Sequence, residues 1–562
     1  MSFEYRYRDR RNTVEERGGR PVQPRIEHHP GIIVHRDVAV PTRSGKIVWA
    51  DLFLPADGAI APAIASWTPY GKSNPAPIGK RFPRSGVRDD QLSDLVSFEA
   101  PDPAYWVPQG YAVIAADMTG MWNSTGPAHF MAPEEAEDYY DLIEWIGTQP
   151  WCSGKVGLSG VSYLTVSQWR VAELNPPHLA CINPWEGWTD TYREVARHGG
   201  IPETSFWPYI WDRWGVAQPG SLLEDLEAED AEHPWFDEYW ASKAAQLEKI
   251  TVPAFVTASW TDHGLHTRGT LEGFRRISSA QKWLFVHGRK KWAEYYLPEN
   301  LERQKAFFDR FLKDVPNEVD EWPPVRVEVR NDHYDGAVRE STDWPLPDVE
   351  YLPLYLGPTG ALSEEVPLES GTVEYDGNAA GLTAQRAVFE HIFTADTDVV
   401  GHARALLHVE APEAEDMDLF LAVFKKRADG TVVGFPYYAL FDNGAAALGW
   451  LRVSHREKDE QKSLPYLPVL KHERALPLEK GRPTEVEVEI LPSGTHFAAG
   501  ESLVLVIQGV DVFRYPEGLL QKAHTHYVNE GPQIIHYGPA TPSRLVIPRM
   551  PVSTRLPEEG LR

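Results

Sequence analysis

Three observations along the sequence predict a mostly parallel, doubly wound α/β sheet carrying an inserted helical cap and followed by an all-β sandwich. Apolar strand-like runs alternate with helical periodicity through the first half of the chain. Two of those runs, near residues 180 and 254, are separated by about 70 residues, too long for a plain connection inside a sheet. Beyond Pro323-Pro324 the helical period fades and short strands punctuated by turns take over.

Taken in order, residues 1–30 are rich in Arg and Glu and poor in aliphatics, which predicts an arm lying on the surface or weakly ordered. Residues 31–55 read as a hairpin around Arg43-Ser44-Gly45. Buried strands at 61–67 and 110–116 each end in a turn or polar residue, which is where an open α/β sheet assembles a site. Tyr139, Leu142, Ile143 and Ile146 mark one face of a helix. The insertion at 185–248 holds Trp185, Trp188, Trp207 and Trp211 among its tryptophans; these rings either wall an apolar pocket or fasten the insertion to the sheet. The acidic run 224–232 is expected to be a solvated face. A helix at 300–312, with Phe307, Phe308 and Phe311 on one side, closes the α/β domain. The expected boundaries are an arm at 1–30, the α/β domain at 31–184 and 249–320, the cap at 185–248 and the sandwich at 321–562.

The chain has 562 residues, 55 Lys and Arg against 81 Asp and Glu, and a formal charge of −26. That charge argues against nucleic acid and anionic membranes as partners. The two cysteines, Cys152 and Cys181, are expected as buried free thiols in a reducing compartment. With neither an apolar leader nor a membrane-length apolar stretch, a cytoplasmic protein is expected. The histidines of the sandwich, such as His524 and His526, have no ligand-like spacing, so neither metal nor cofactor is expected. Homo-oligomerisation is left open.

Chemistry is concentrated at residues 155–169, where an apolar strand runs into Gly160-Val161-Ser162-Tyr163 and then turns helical. A strand–turn–helix of this kind strains its apex residue, favours small neighbours, and exposes the apex hydroxyl at the positive end of the helix. Ser162 is the nucleophile this predicts.

Gly160-Val161-Ser162-Tyr163-Leu164, Thr68-Pro69-Tyr70, Gly110-Tyr111-Ala112-Val113 with Asp117, the stretch 145–151 and Gly401-His402-Ala403 together resemble the CocE/NonD family of serine hydrolases, the X-Pro dipeptidyl-peptidase (S15) type. The resemblance extends from about residue 31 to 548. It implies an α/β-hydrolase domain, a helical cap and a C-terminal jelly roll that helps roof the active site. It also implies Ser162 as nucleophile, Asp262 in Trp260-Thr261-Asp262 as the triad acid, and an oxyanion hole made by the Tyr70 hydroxyl and the Tyr163 backbone N–H. Two positions depart from the family pattern. Thr165 stands where a glycine is usual, and the family's Gly-Pro-Trp-x-His reads His287-Gly288-Arg289-Lys290-Lys291, which puts Lys291 at the histidine position. His287, at a strand end, is the expected base; His263 and His266 are weaker contenders, because they follow Asp262 too closely to approach the serine from the far side.

The expected function is hydrolysis of a small ester or amide through an acyl-enzyme, in the order Ser162, Asp262, His287. An X-Pro dipeptidyl aminopeptidase, with Glu186 or the cap acids holding a substrate ammonium, is one alternative. A catalytically silent binding protein that has lost its base is the other.

Overall fold

The structure is a computed structural model and describes residues 3–9, 12–73, 78–88, 90–378, 385–513 and 523–550. Strands that lack any polar face end up in the middle of a sheet covered on both sides, and Ala61–Thr68 and Ala112–Asp117 are buried along their whole length. The sheet begins as an antiparallel meander of β1 (Arg25–His29), β2 (Ile32–Pro41) and β3 (Ile47–Pro55). It continues with β4 (Ala61–Thr68), β5 (Ala112–Asp117), β6 (Cys152–Val161), β7 (Leu179–Trp185), β8 (Ala254–Ser259), β9 (Lys282–His287) and β10 (Val325–Asp332). The spatial order is β1-β2-β3-β5-β4-β6-β7-β8-β9-β10; β3 pairs antiparallel to β5, and every later pair is parallel.

Helices α1 (Pro133–Gly147), α2 (Tyr163–Ala172) and α3 (Thr267–Arg276) cover one face, and α4 (Pro298–Leu312) covers the other. The alternation of β9 shows the division. Leu284 and Val286 join the core of Leu142, Trp169 and Leu271, whereas Trp283 and Phe285 join Phe307 and Phe308 of α4. Cys152 and Cys181 are both buried and unbridged. No helix among the described residues is long and apolar enough to cross a membrane.

The C-terminal part is a jelly-roll sandwich. Thr397–Glu410 pairs with Thr484–Phe497 and Arg544–Met550 in one layer, and Asp418–Lys426 pairs with Ala447–Arg452 and Ser502–Gln508 in the other. Leu354, Leu407, Leu419, Val488, Leu505 and Ile547 fill the space between. The sequence reading assigns 325–329 to this sandwich, yet β10 lies parallel to β9 from Leu284↔Val325 to Val286↔Val327, and it also meets Thr495 through Arg330. The exposed edge of β9 needs a partner, so one strand serves both domains.

Two expectations about polar segments change. The N-terminal arm is woven into the cap: Tyr7–Arg8 pairs with Leu223–Glu224, Val14 is buried, and the Arg6 N–H donates to Glu229 Oε1 at 2.6 Å. The acidic run 224–232 is therefore not simply a solvated face. Glu224 is buried against the Lys243 ammonium at 2.7 Å, and Arg6 pairs with Glu232 at 2.8 Å. Arg6 of the arm and this acidic stretch are complementary halves of one contact.

Candidate active site

Between β6 and α2 the chain reverses in a single residue. Ser162 sits at φ 62°, ψ −120°, and its N–H donates to the carbonyls of Trp185 and Glu186 at 3.2 and 3.0 Å. Such a conformation is strained for a residue with a Cβ and persists because both flanking elements are fixed. Gly160 has to be glycine: a Cβ there would lie 2.6 Å from Leu164 Cβ. Thr165 is accommodated because Gly187 faces it, and its hydroxyl ties the turn, sharing its one proton between the Gly160 and Trp185 carbonyls at 2.8 and 2.9 Å.

Ser162 Oγ lies 3.1 Å from His266 Nε2, and the other ring nitrogen, Nδ1, lies 2.5 Å from Asp262 Oδ2. All three side chains are buried. A carboxylate can only accept, so Nδ1 carries the proton and Nε2 is left as the acceptor for the serine hydroxyl. Asp262 and His266 are brought together by local helical geometry: the N–H groups of Leu265, His266 and Thr267 all donate to the Asp262 carbonyl, a turn leading into α3. Residues four apart on such a turn lie side by side. The imidazole can then bond the acid with one nitrogen and reach across to Ser162 with the other.

This corrects the expectation for His287. On β9 its side chain shares the parity of Trp283 and Phe285, so it points to the α4 face and not toward Ser162. There its Nε2 lies 3.0 Å from Glu186 Oε1, while Glu186 Oε2 accepts from Ser259 Oγ at 2.6 Å. Burial alone would lower the His287 ring's proton affinity, but Glu186, with Glu294 and Glu328 behind it, outweighs burial and raises it. His287 and Glu186 form a buried ion pair under the serine turn. His263 is also turned away, with Nε2 3.1 Å from the Pro492 carbonyl.

Lys291, at the position where the family pattern has histidine, is buried with its ammonium 2.8 Å from Asp262 Oδ2 and 3.1 Å from His266 Nδ1. Glu186, Asp262 and His266 present ligand atoms within 4.8 Å of one another, a spacing a metal ion could use. Each is already engaged, Asp262 by Lys291 and His266, His266 by Asp262 and Ser162, and Glu186 by His287 and Ser259, so a cation would have to displace the ammonium.

The Tyr70 hydroxyl interacts with both Ser162 and Glu99. Burial, then the negative charge of Glu99, holds this phenol well above its ordinary value, so it remains a proton donor. Tyr163 opens α2, and the first N–H groups of a helix point out of its N-terminus. Its side chain is engaged elsewhere, donating to Glu135 Oε2 at 2.7 Å. Glu99 is buried beside Trp292, whose N–H it accepts at 2.7 Å, and burial pushes its carboxyl up to about 7 against the pull of Lys291.

Of the four cap tryptophans singled out from the sequence, Trp188 stacks on the His266 ring at 5.7 Å and 10°. Trp185 is buried beneath the turn against Tyr295. Trp207 is buried in the cap, and the Trp211 side chain lies outside the described residues. The jelly roll braces the acid loop from above: the Tyr438 N–H donates to the Thr261 carbonyl at 2.7 Å, and Lys291 lies over the Tyr438 ring at 5.4 Å. His266 and Lys291 are the residues whose places sequence reasoning missed. The available signal was the four-residue spacing from Asp262 to His266 ahead of a helix.

Comparison with known proteins agrees with this architecture. Residues 44–290 match the X-Pro dipeptidyl-peptidase (S15 family) model, and residues 317–546 match the X-Pro dipeptidyl-peptidase C-terminal non-catalytic domain. A CocE/NonD family hydrolase from Staphylococcus aureus is 40% identical, with a TM-score of 0.89 over 92% of this chain and 94% of its own. Cocaine esterase from Rhodococcus sp. (strain MB1 Bresler) is 26% identical over 92% of this chain and 98% of its own length. An α-amino acid ester hydrolase shares the fold at 16% identity, with a TM-score of 0.70.

Proposed function

Since the chain belongs to the CocE/NonD family of serine hydrolases, we propose that it cleaves a small ester or amide through an acyl-enzyme formed on Ser162, with His266 as the base and Asp262 as the acid that orients it. The observation that carries this reading is the continuous relay from Ser162 Oγ to His266 Nε2 at 3.1 Å and from His266 Nδ1 to Asp262 Oδ2 at 2.5 Å.

As Ser162 Oγ attacks the carbonyl carbon, its proton passes to His266 Nε2, and Asp262 stabilises the imidazolium that forms. The carbonyl oxygen, now an oxyanion, is held by the Tyr70 hydroxyl and the Tyr163 N–H. Collapse of the tetrahedral intermediate breaks the bond to the alcohol or amine, which leaves with the proton from His266. Water then repeats the sequence on the acyl-enzyme, His266 taking its proton, and the carboxylic acid is released.

An ester or amide substrate is favoured over an X-Pro dipeptide. A dipeptidyl aminopeptidase needs a carboxylate kept for the substrate ammonium, and Glu186 is committed to His287 and Ser259. The relay through His266 also supports an active enzyme over a silent binding protein.

The test is labelling combined with turnover. An activated fluorophosphonate is expected to modify Ser162 and no other serine, and a p-nitrophenyl ester to be cleaved faster than a Gly-Pro anilide. Complete inertness to the label would favour the silent reading. A preference for the anilide that vanishes on N-acetylation would favour the peptidase.

A further inference from the structure

On the face of the sheet away from the helices α1 to α3, a cleft of about 360 Å³ opens between α4 and the strands β9 and β10. Its volume falls in the range of small-molecule sites, and aromatic rings dominate its apolar wall: Phe255, Trp283, Phe285 and Trp322.

The charges around this wall are unevenly satisfied. The acids of α4 on the lining are engaged within the protein: Glu302 accepts from the Tyr105 hydroxyl at 2.8 Å, and Asp309 takes the Tyr111 hydroxyl at 2.6 Å together with the ammonium groups of Lys305 and Lys313; Glu318, the remaining acid of the lining, is exposed to solvent. The two guanidinium groups are not matched in the same way. Arg303 donates to Asn300 Oδ1 at 2.6 Å and lies 5.2 Å over the Phe285 ring, and among the described residues it makes no ion pair. Arg326 approaches Glu340 only to 3.6 Å, beyond hydrogen-bond reach, and its Nε is buried without a hydrogen-bond partner. Burial, then the repulsion of Arg326, lowers the Arg303 guanidinium below its ordinary value against the pull of Glu294 and Glu299.

We propose that this cleft is a binding site for a small organic carboxylate, its apolar body lying between Trp283, Phe285 and Trp322 and its carboxylate meeting Arg303 and Arg326. A guanidinium fork matches a carboxylate with two parallel hydrogen bonds, which an ammonium or hydroxyl ligand cannot accept in the same geometry. A wholly apolar ligand would fill the aromatic wall and leave both cations as they are. The site is independent of the catalytic assignment, since the cleft lies on the α4 face whereas Ser162 caps α2 on the opposite one.

The probe is 4-phenylbutyrate, with 4-phenylbutanol as its uncharged counterpart, titrated into the full-length protein by calorimetry and followed by tryptophan fluorescence from Trp283 and Trp322. The acid is expected to bind saturably and the alcohol at least roughly tenfold more weakly, since a hydrogen bond to a charged group contributes about that much. R303Q and R326Q are each expected to weaken the acid by roughly tenfold or more, with hydrolysis of a neutral ester unchanged, whereas R303K retains part of the affinity because the charge remains while the fork is lost. Absence of saturation by the acid up to about 10 mM overturns the proposal. So does equal binding of acid and alcohol, or undiminished binding in both glutamine variants. The acid-to-alcohol comparison uses the unaltered protein, so a variant that fails to fold leaves the test intact.

Discussion

Asp262 Oδ2 and His266 Nδ1 lie 2.5 Å apart on a single turn of chain, the acid and its imidazole separated by four residues. In that arrangement the pair enters the site as one unit, carried by the loop that leads into α3. The jelly roll holds the same loop through the Tyr438 N–H on the Thr261 carbonyl.

Replacing His266 tests the relay directly. H266A is expected to lower kcat on a good ester by about 10³-fold or more with the fold intact, because the general base and the proton donor to the leaving group are lost together. Steady-state kinetics on a p-nitrophenyl ester measures it, with circular dichroism as the check on folding. Turnover within tenfold of wild type would remove His266 from the mechanism.

Tyr70→Phe removes the hydroxyl proposed above as one oxyanion donor. A drop of about 10²-fold in kcat with little change in KM is expected, since the contact strengthens only as the oxyanion forms. A loss of less than about threefold would leave the hole to backbone donors alone.

The Glu186–His287 pair is a matter of stability. Removing one member of a buried ion pair leaves an uncompensated charge and costs about 3 to 5 kcal/mol. H287Q is therefore expected to unfold at markedly lower denaturant, and E186Q/H287Q to recover part of the loss. Equal stability of H287Q and wild type in a urea titration would contradict the buried pair.

Glu99 links stability to pH. Its folded-state carboxyl is raised from 4.5 to about 7 by burial, so its favourable contribution is complete below the unfolded value and disappears as pH rises through about 7. Wild type should lose melting temperature relative to E99Q between pH 5 and pH 8. Parallel curves for the two proteins would show that Glu99 binds protons equally in both states.

Much of this protein was determined by the sequence alone. The sheet, its helices, the insertion and the sandwich are written in local periodicity, and the strand–turn–helix around Ser162 in the glycine spacing that so sharp a reversal requires. Asp262 follows a strand end, which its order in the chain makes readable. The imidazole that meets Ser162 was decided only by tertiary structure. His287 and His266 both lie near strand ends in the chain, and no local pattern reports the face to which β9 turns its last side chain. Strand parity sends His287 beneath the turn to Glu186, while the first turn of a helix swings His266 above Asp262, with its far nitrogen toward the serine. The arm and the acidic run 224–232 followed the same logic: each looks solvated by composition, and only their meeting in space made Glu224 and Glu229 buried partners. Periodicity is a property of neighbouring residues, whereas the direction of a side chain and the identity of its partner depend on elements distant in the chain.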